Sequence, residues 1–285
     1  MEEIIGIIID CLMLSSIYIL VSLGFALVLS IINILNFAHG SLYMMGGYVC
    51  YCLSVQLGLN PWLSFILTMI ILGLAGLILE RLCFRPLVGD VNRTIIVTIA
   101  ISLIIETTAN ILFGNENRKI PSFISGMFEM GAISISLERL ATFITCWALL
   151  ILLSLFVKTK TGQQMLAVSQ DREGAVLQGI RVDRISALAI ALSCALAAIA
   201  GTLMGSIFDL KPLMGGAMLI KAIEVVVLCG IGSIGGILVG GLIIGTIDAV
   251  LPLFAGGAVT QAAGLGIIII LLLLKPQGLF GREVV

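Results

Sequence analysis

The sequence predicts an all-α membrane protein that crosses the bilayer about eight or nine times, and three observations predict it. Of its 285 residues 60% are hydrophobic and only 11% charged, and the mean hydropathy of +1.23 lies well outside the soluble globular range. The apolar residues form long runs close to the ~20 residues that a helical crossing needs. Lys and Arg collect in the short polar stretches between those runs, which orients the runs by the positive-inside rule.

The same composition excludes several function classes. His39 is the sole histidine and builds no metal site by itself. The seven cysteines, Cys11, Cys50, Cys52, Cys83, Cys146, Cys194 and Cys229, sit mostly inside apolar runs without the paired spacing of zinc or redox motifs, and read as small packing residues. No Ser/His/Asp grouping or carboxylate cluster in a soluble cleft argues for catalysis, so no enzyme activity, cofactor or nucleic-acid partner is expected.

Taken in order, the chain starts MEEIIGIIID, with Glu2 and Glu3 where a secretory signal carries Lys or Arg. The segment is therefore expected to be retained, with the N-terminus outside. Residues 6–35 stay apolar for longer than one crossing needs, as one long tilted helix or a helix that runs into a second, broken one. The run meets Asn33, Asn36 and His39 in the stretch NILNFAHGS before re-entering the membrane as LYMMGGYVCYCL. Such polar groups are costly at membrane depth unless buried in protein or facing water. Two readings stay open: a turn in which Asn36 and His39 cap helix ends, or a discontinuous helix beside a translocation path.

Pro61 opens a third run through Leu79, and Glu80, Arg81, Arg85 and Arg93 mark a cytoplasmic loop. The crossing from Thr94 to Phe113 carries Glu106 and Asn110 at i and i+4, so on one face, which should point into protein. Residues 115–139 lack a positive excess, as expected of an outer loop, and 140–157 return inward. Residues 185–208 are rich in small residues, with Gly201-x-x-x-Gly205 suited to close packing. After the outer turn at Asp209 to Pro212, Lys221 and Glu224 stand one turn apart, as a local ion pair or as charges of a mobile gate helix. Then comes GIGSIGG, with Gly230, Gly232, Gly235 and Gly236 expected to break or flex the helix at a gate. No Lys-Ser/Thr follows it and no strand precedes it, so it is no phosphate cradle. Asp248, if buried, needs a partner. The last run ends at Lys275 and Arg282, placing the C-terminus inside. Broken segments in both halves, each followed by a glycine-rich run, fit two related halves with the path between them.

The longest polar interruption is the loop 158–184, which carries Lys158, Lys160, Arg172, Arg181 and Arg184 and is expected to face the cytoplasm. Within it, Met165, Val168, Val176 and Ile180 recur at roughly helical spacing, so a short amphipathic helix over 163–179 is expected at the membrane surface. The spacing Glu173-Gly174-Ala175-x-x-x-Gly179 resembles the coupling-helix signature of ABC importer permeases, with Gly174 where Ala is usual. Small residues there permit close approach, and Gly179 permits the following turn.

The motifs together are more specific. Asn36-Phe37-Ala38-His39-Gly40, Arg85-Pro86-Leu87, Asp171-Arg172-Glu173 with Gly179-Ile180-x-x-Asp183-Arg184, GIGSIGG and Pro276-x-Gly278-Leu279-Phe280-Gly281 follow one another in an order that resembles the permease family of branched-chain amino acid ABC importers. Cys229 stands where that family usually has Gly. The resemblance covers nearly the whole chain, 1–285, read as a single transmembrane domain of the cell inner membrane. It implies a second homologous permease, two cytoplasmic ATP-binding subunits and an extracytoplasmic solute-binding protein, with Asp171, Arg172, Glu173, Ala175 and Gly179 coupling to the ATPase. The family also takes urea and short-chain amides. An ion-coupled carrier using Glu106 or Asp248, or an isolated channel, would be a different class.

Overall fold

The computed structural model describes residues 2–87, 89–114, 116–130, 133–230, 233–275 and 277–280. Among them the chain forms α1 (Glu2–Ile32), α2 (His39–Tyr51), α3 (Pro61–Leu79), α4 (Val91–Phe113), the strands β1 (Met127–Met130) and β2 (Ile133–Ser136), α5 (Leu137–Val157), α6 (Lys160–Gln170), α7 (Arg172–Leu177), α8 (Val182–Ile207), α9 (Met214–Cys229), α10 (Ile234–Val250) and α11 (Gly257–Leu274). The strands among the described residues form an antiparallel hairpin of β1 and β2, which pairs Met127 with Ser136 and Met130 with Ile133.

Among the described residues six helical stretches are long and apolar enough to cross a membrane: Ile5–Ile32, Pro61–Leu87, Val91–Phe113, Leu137–Val157, Val182–Ile207 and Gly235–Leu253. A shorter apolar helix covers Val259–Leu274, and α2 and α9 have 13 and 16 residues. The protein is therefore a polytopic helical membrane protein with six long candidate spans. Local chemistry sets their starts. Asn60 Oδ1 accepts the Trp62 amide with Pro61 at the first helical position of α3, and Asp90 Oδ1 accepts the Arg93 amide at the start of α4.

Burial separates centre from rim. The most apolar window of the α1 span is 83% buried and that of α8 72%, against 11% for α4 and 22% for α5. Helices α1 and α8 are thus the core against which the others pack. Glycines permit the closest contacts: Gly241 and Gly245 of α10 lie on Ile19 and Ser15 of α1, so those helices run antiparallel. On α8, Gly201 lies against the Tyr43 carbonyl, and Thr202 Oγ1 donates to the Gly46 carbonyl at 3.2 Å. The Gly201-x-x-x-Gly205 run serves packing within the chain, and the cysteines are free, with Cys50, Cys146, Cys194 and Cys229 buried.

Two segments turn back into the bundle. The His39 ring reaches the carbonyl of Val21, eleven residues before the end of α1, or about 16 Å at the helical rise. Residues 33–38 therefore carry the chain back along the last turns of α1 before α2 begins. At the other end of the bundle, Arg118 and Leu210 bridge the segment after α4 to the chain after α8, and residues 208–213 then bring Gly215 down against Gly40. The two half-length helices meet at their N-terminal ends. A Cβ on Gly40 would fall on the Gly215 carbonyl, and one on Gly215 would lie 2.6 Å from the Gly40 carbonyl.

Candidate functional site

The residues singled out around the first break take three different roles. Asn33 ends α1 with φ 56, its amide donating to the Leu29 carbonyl at 3.0 Å, and its side chain is exposed. Asn is one of the few non-glycine residues that occupies this left-handed region readily. Asn36 is 2% exposed and accepts the Ala38 amide on Oδ1 at 3.0 Å, which organises the turn into α2; its Nδ2 has no partner. His39 is wholly buried. Its Nε2 donates to the Val21 carbonyl at 3.0 Å, Ser193 Oγ lies 3.3 Å from Nδ1, and its ring meets Phe25 edge-on at 5.7 Å. A carbonyl can only accept, so one neutral tautomer satisfies both contacts. The Asn36 side chain closes the turn into α2, whereas His39, expected with it as a helix cap, bonds instead to α1 and α8.

Glu106 is half-buried on α4 and accepts from Ser102 Oγ at 3.1 Å, while Asn110, on the same face, is exposed. That face was expected to point into protein, and within this chain only its Glu106 end does so. The reason is that α4 lies at the rim, with only Thr94, Thr98 and Ala109 buried.

At the late break, Gly230 ends α9 with φ 88, and Gly278 packs against its backbone. Ser233 caps α10 by accepting the Gly236 amide on Oγ at 3.1 Å. A Cβ on Gly236 would meet Ser233, Cys229 and Phe280 at 2.9–3.1 Å. Gly235, by contrast, has open space beside it and no strained backbone, and Gly232 lies outside the described residues. Among the described residues of the break between α9 and α10, the steric demands fall on Gly230 and Gly236. The contact that requires glycine between half-helices is instead Gly40 with Gly215. Gly215 was not singled out from the sequence, although Met214-Gly215-Gly216 just after Pro212 is the available signal.

In the 158–184 loop, the single helix expected over 163–179 is two. Asp171 breaks it, with φ −151 and ψ 104, and caps α7 by accepting the Gly174 amide on Oδ1 at 2.9 Å. The tight cap explains Gly174: a Cβ there would press on the Asp171 carboxyl group. Met165, Val168 and Ala175 are buried, anchoring α6 and α7 to the bundle. Helix α7 ends in a Schellman turn, with the Gly179 amide on the Val176 carbonyl at 2.9 Å, the Ile180 amide on the Ala175 carbonyl at 3.0 Å, and Gly179 at φ 77. Arg172 is half-buried, Glu173 is exposed, and nothing lies within 4 Å of Gly179. Val176, grouped by its spacing with Met165 and Val168, is 57% exposed, and Leu177 beside it is 89% exposed. Together they form an apolar tip on the α7 turn.

Asp248 has its partners. Lys221 Nζ lies 2.9 Å from Asp248 Oδ1 and 3.1 Å from Glu224 Oε2, and Tyr18 donates to Asp248 Oδ2 at 2.7 Å. The local Lys221–Glu224 ion pair of one sequence reading is there, extended to α10 and α1. Among the described residues no group of His, Cys, Asp and Glu has metal-ligating geometry.

The family model described as branched-chain amino acid transport system, permease component, matches residues 7–274. The chain is 31% identical over 286 residues to the high-affinity branched-chain amino acid transport system permease protein LivH of Salmonella typhimurium, covering 94% of this chain and 92% of the relative. It is likewise 31% identical to the permease protein BraD of Pseudomonas aeruginosa, covering 95% and 94% of the two chains. A more distant match, 32% identical over 46% of this chain and 42% of the relative, is to the ribose import permease protein RbsC of Bacillus subtilis. No solved structure matches the chain significantly.

Proposed function

The chain belongs to the family of branched-chain amino acid transport permease components, and from that membership we propose that it is the membrane-spanning permease subunit of an ATP-driven importer for branched-chain, hydrophobic amino acids. The observation that carries this reading is a match of family and full length together, residues 7–274 with relatives aligned nearly end to end. In this reading an extracytoplasmic binding protein delivers the solute, two cytoplasmic ATP-binding subunits supply the energy, and a second homologous permease completes the path.

Three features support the finer assignments. The capped α7 turn offers Leu177 and Gly179 to a partner, with Asp171, Arg172, Glu173 and Ala175 shaping it, as a coupling contact requires. The exposed Asn110 on α4 is costly against hydrocarbon, so a second permease helix is the fitting cover. The alternation of the helices, with an outer N-terminus and an inner C-terminus, needs an odd count; nine is met by α1, α3, α4, α5, α8, α10 and α11 with the half-length α2 and α9.

Against an ion-coupled carrier stands the occupancy of Asp248 by Lys221 and Tyr18. The test is uptake of labelled leucine by the reconstituted complex. Uptake that requires ATP and binding protein and persists with ionophores supports the reading. Uptake without nucleotide, or abolished by ionophores, overturns it.

A further inference from the structure

The cluster of Tyr18, Lys221, Glu224 and Asp248 joins α1, α9 and α10. Lys221 and Glu224 are 8% and 1% exposed, and Asp248 retains 11% of its side-chain surface. Gly264 of α11 makes room for the charged heads, since a Cβ there would lie 2.9 Å from Glu224 Oε2 and 3.2 Å from Lys221 Nζ. Buried charges persist in such a setting only when each has a partner.

The partners are unevenly divided. Asp248 already holds Lys221 and the Tyr18 hydroxyl. Glu224 Oε2, though 3.1 Å from Lys221 Nζ, has no partner in hydrogen-bonding geometry. Glu224 is thus the second carboxylate on one ammonium: it pairs with Lys221 by charge alone, and the cluster holds two negative charges to one positive. Its placement makes sense for a different arrangement. If α9 parts from α10, Lys221 leaves Asp248 but keeps Glu224, three residues away on its own helix, and Asp248 keeps Tyr18. Each member then keeps a polar partner, Asp248 through the Tyr18 hydrogen bond alone.

The other ties of α9 differ in kind. Near its C-terminal end, Cys229 Sγ lies 2.8 Å from the Gly236 carbonyl, and the Leu279 and Phe280 amides donate to the Leu228 and Cys229 carbonyls, each at 2.9 Å. Those contacts anchor one end. The Lys221–Asp248 pair is the ionic link between α9 and α10 among the described residues.

We propose that Lys221 is the pin of a releasable latch between α9 and α10, and that Glu224 is the positioning residue that holds Lys221 when the latch is open. This rests on the permease reading, and it takes α9 as the mobile gate helix that the sequence leaves open. The test uses the complete complex in lipid nanodiscs, in a chain lacking the native cysteines, with spin labels at Ile220→Cys and Thr246→Cys, both exposed. Leucine-loaded binding protein and vanadate-trapped nucleotide should produce a longer inter-label distance in the otherwise unsubstituted chain.

Glu224→Gln should keep the nucleotide-free distance, lose the longer population, and slow uptake at least tenfold, with Glu224→Asp restoring most of both. Tyr18→Phe, which removes the second partner of Asp248, should also deplete the longer population, and it serves if Glu224→Gln fails to assemble. The latch is overturned if either Glu224→Gln or Tyr18→Phe opens and transports like the parent chain, if Glu224→Gln alters the nucleotide-free distance, or if the parent chain shows one distance throughout while still transporting. Absence of ATP-driven uptake in the parent complex would instead remove the permease reading.

Discussion

At Gly230 and Gly235 two glycines of one motif meet opposite demands. Gly230 holds φ 88 and ψ 139, a region that side chains occupy at a cost of order 1–3 kcal/mol, and it is packed on Gly278. Gly235 has ordinary backbone and free space. Gly230→Ala is therefore expected to lower the thermal stability of the purified protein and reduce uptake severely. Gly235→Ala should change stability by no more than about 0.5 kcal/mol and leave uptake normal. Equal loss in both would show that the motif works through something other than local sterics. Exposure makes a second residue-scale distinction. In the absence of nucleotide, Asn33→Cys should react with a small aqueous thiol reagent and His39→Cys should not; rapid labelling at position 39 would mean that the turn into α2 opens to water.

For the elements, the separation of α6 from α7 decides which side chains a partner can meet. Asp171 stops one helix and starts the next, so the tip of α7 turns away from the bundle and exposes Leu177. Leu177→Asp should leave folding within about 0.5 kcal/mol of the parent, because the side chain is 89% exposed, yet abolish solute-stimulated ATP hydrolysis. Gly179→Trp should likewise abolish stimulated hydrolysis, at a backbone cost of order 1–3 kcal/mol from φ 77, whereas Gly179→Asn, which tolerates the left-handed backbone, should retain coupling. Stimulated hydrolysis unchanged in Leu177→Asp and Gly179→Trp would remove α7 from the coupling contact. Asp171→Ala tests the cap itself: about 1 kcal/mol of local helix stability should be lost, visible as faster amide exchange over 172–177.

For the whole molecule, the contrast between a buried α1–α8 core and a rim of α4 and α5 indicates where other subunits can sit. A cysteine at Asn110, on the exposed face of α4, should cross-link to a second permease chain in membranes and should do so before solubilisation. Cross-linking to lipid-soluble probes alone would place that face against the bilayer.

Composition, hydropathy and charge placement by themselves determined the membrane class, most of the long helices, and the order of motifs that marks the family. These are legible because each depends on residues adjacent in the chain: an apolar run of fixed length, a positive loop, a short motif. They also showed a break near Asn33 and a turn at Gly179. Only the tertiary structure decided that His39 is satisfied by Val21 and Ser193, that Gly40 abuts Gly215, that Glu106 and Asn110 lie at the rim, and that Lys221 joins Asp248. Those partners are separated by 18 to 175 residues along the chain, and a half-length helix looks the same in sequence whether it spans, re-enters or ends against another. Which contact forms depends on how the long helices pack, and that packing is a property of the assembled bundle rather than of any segment within it.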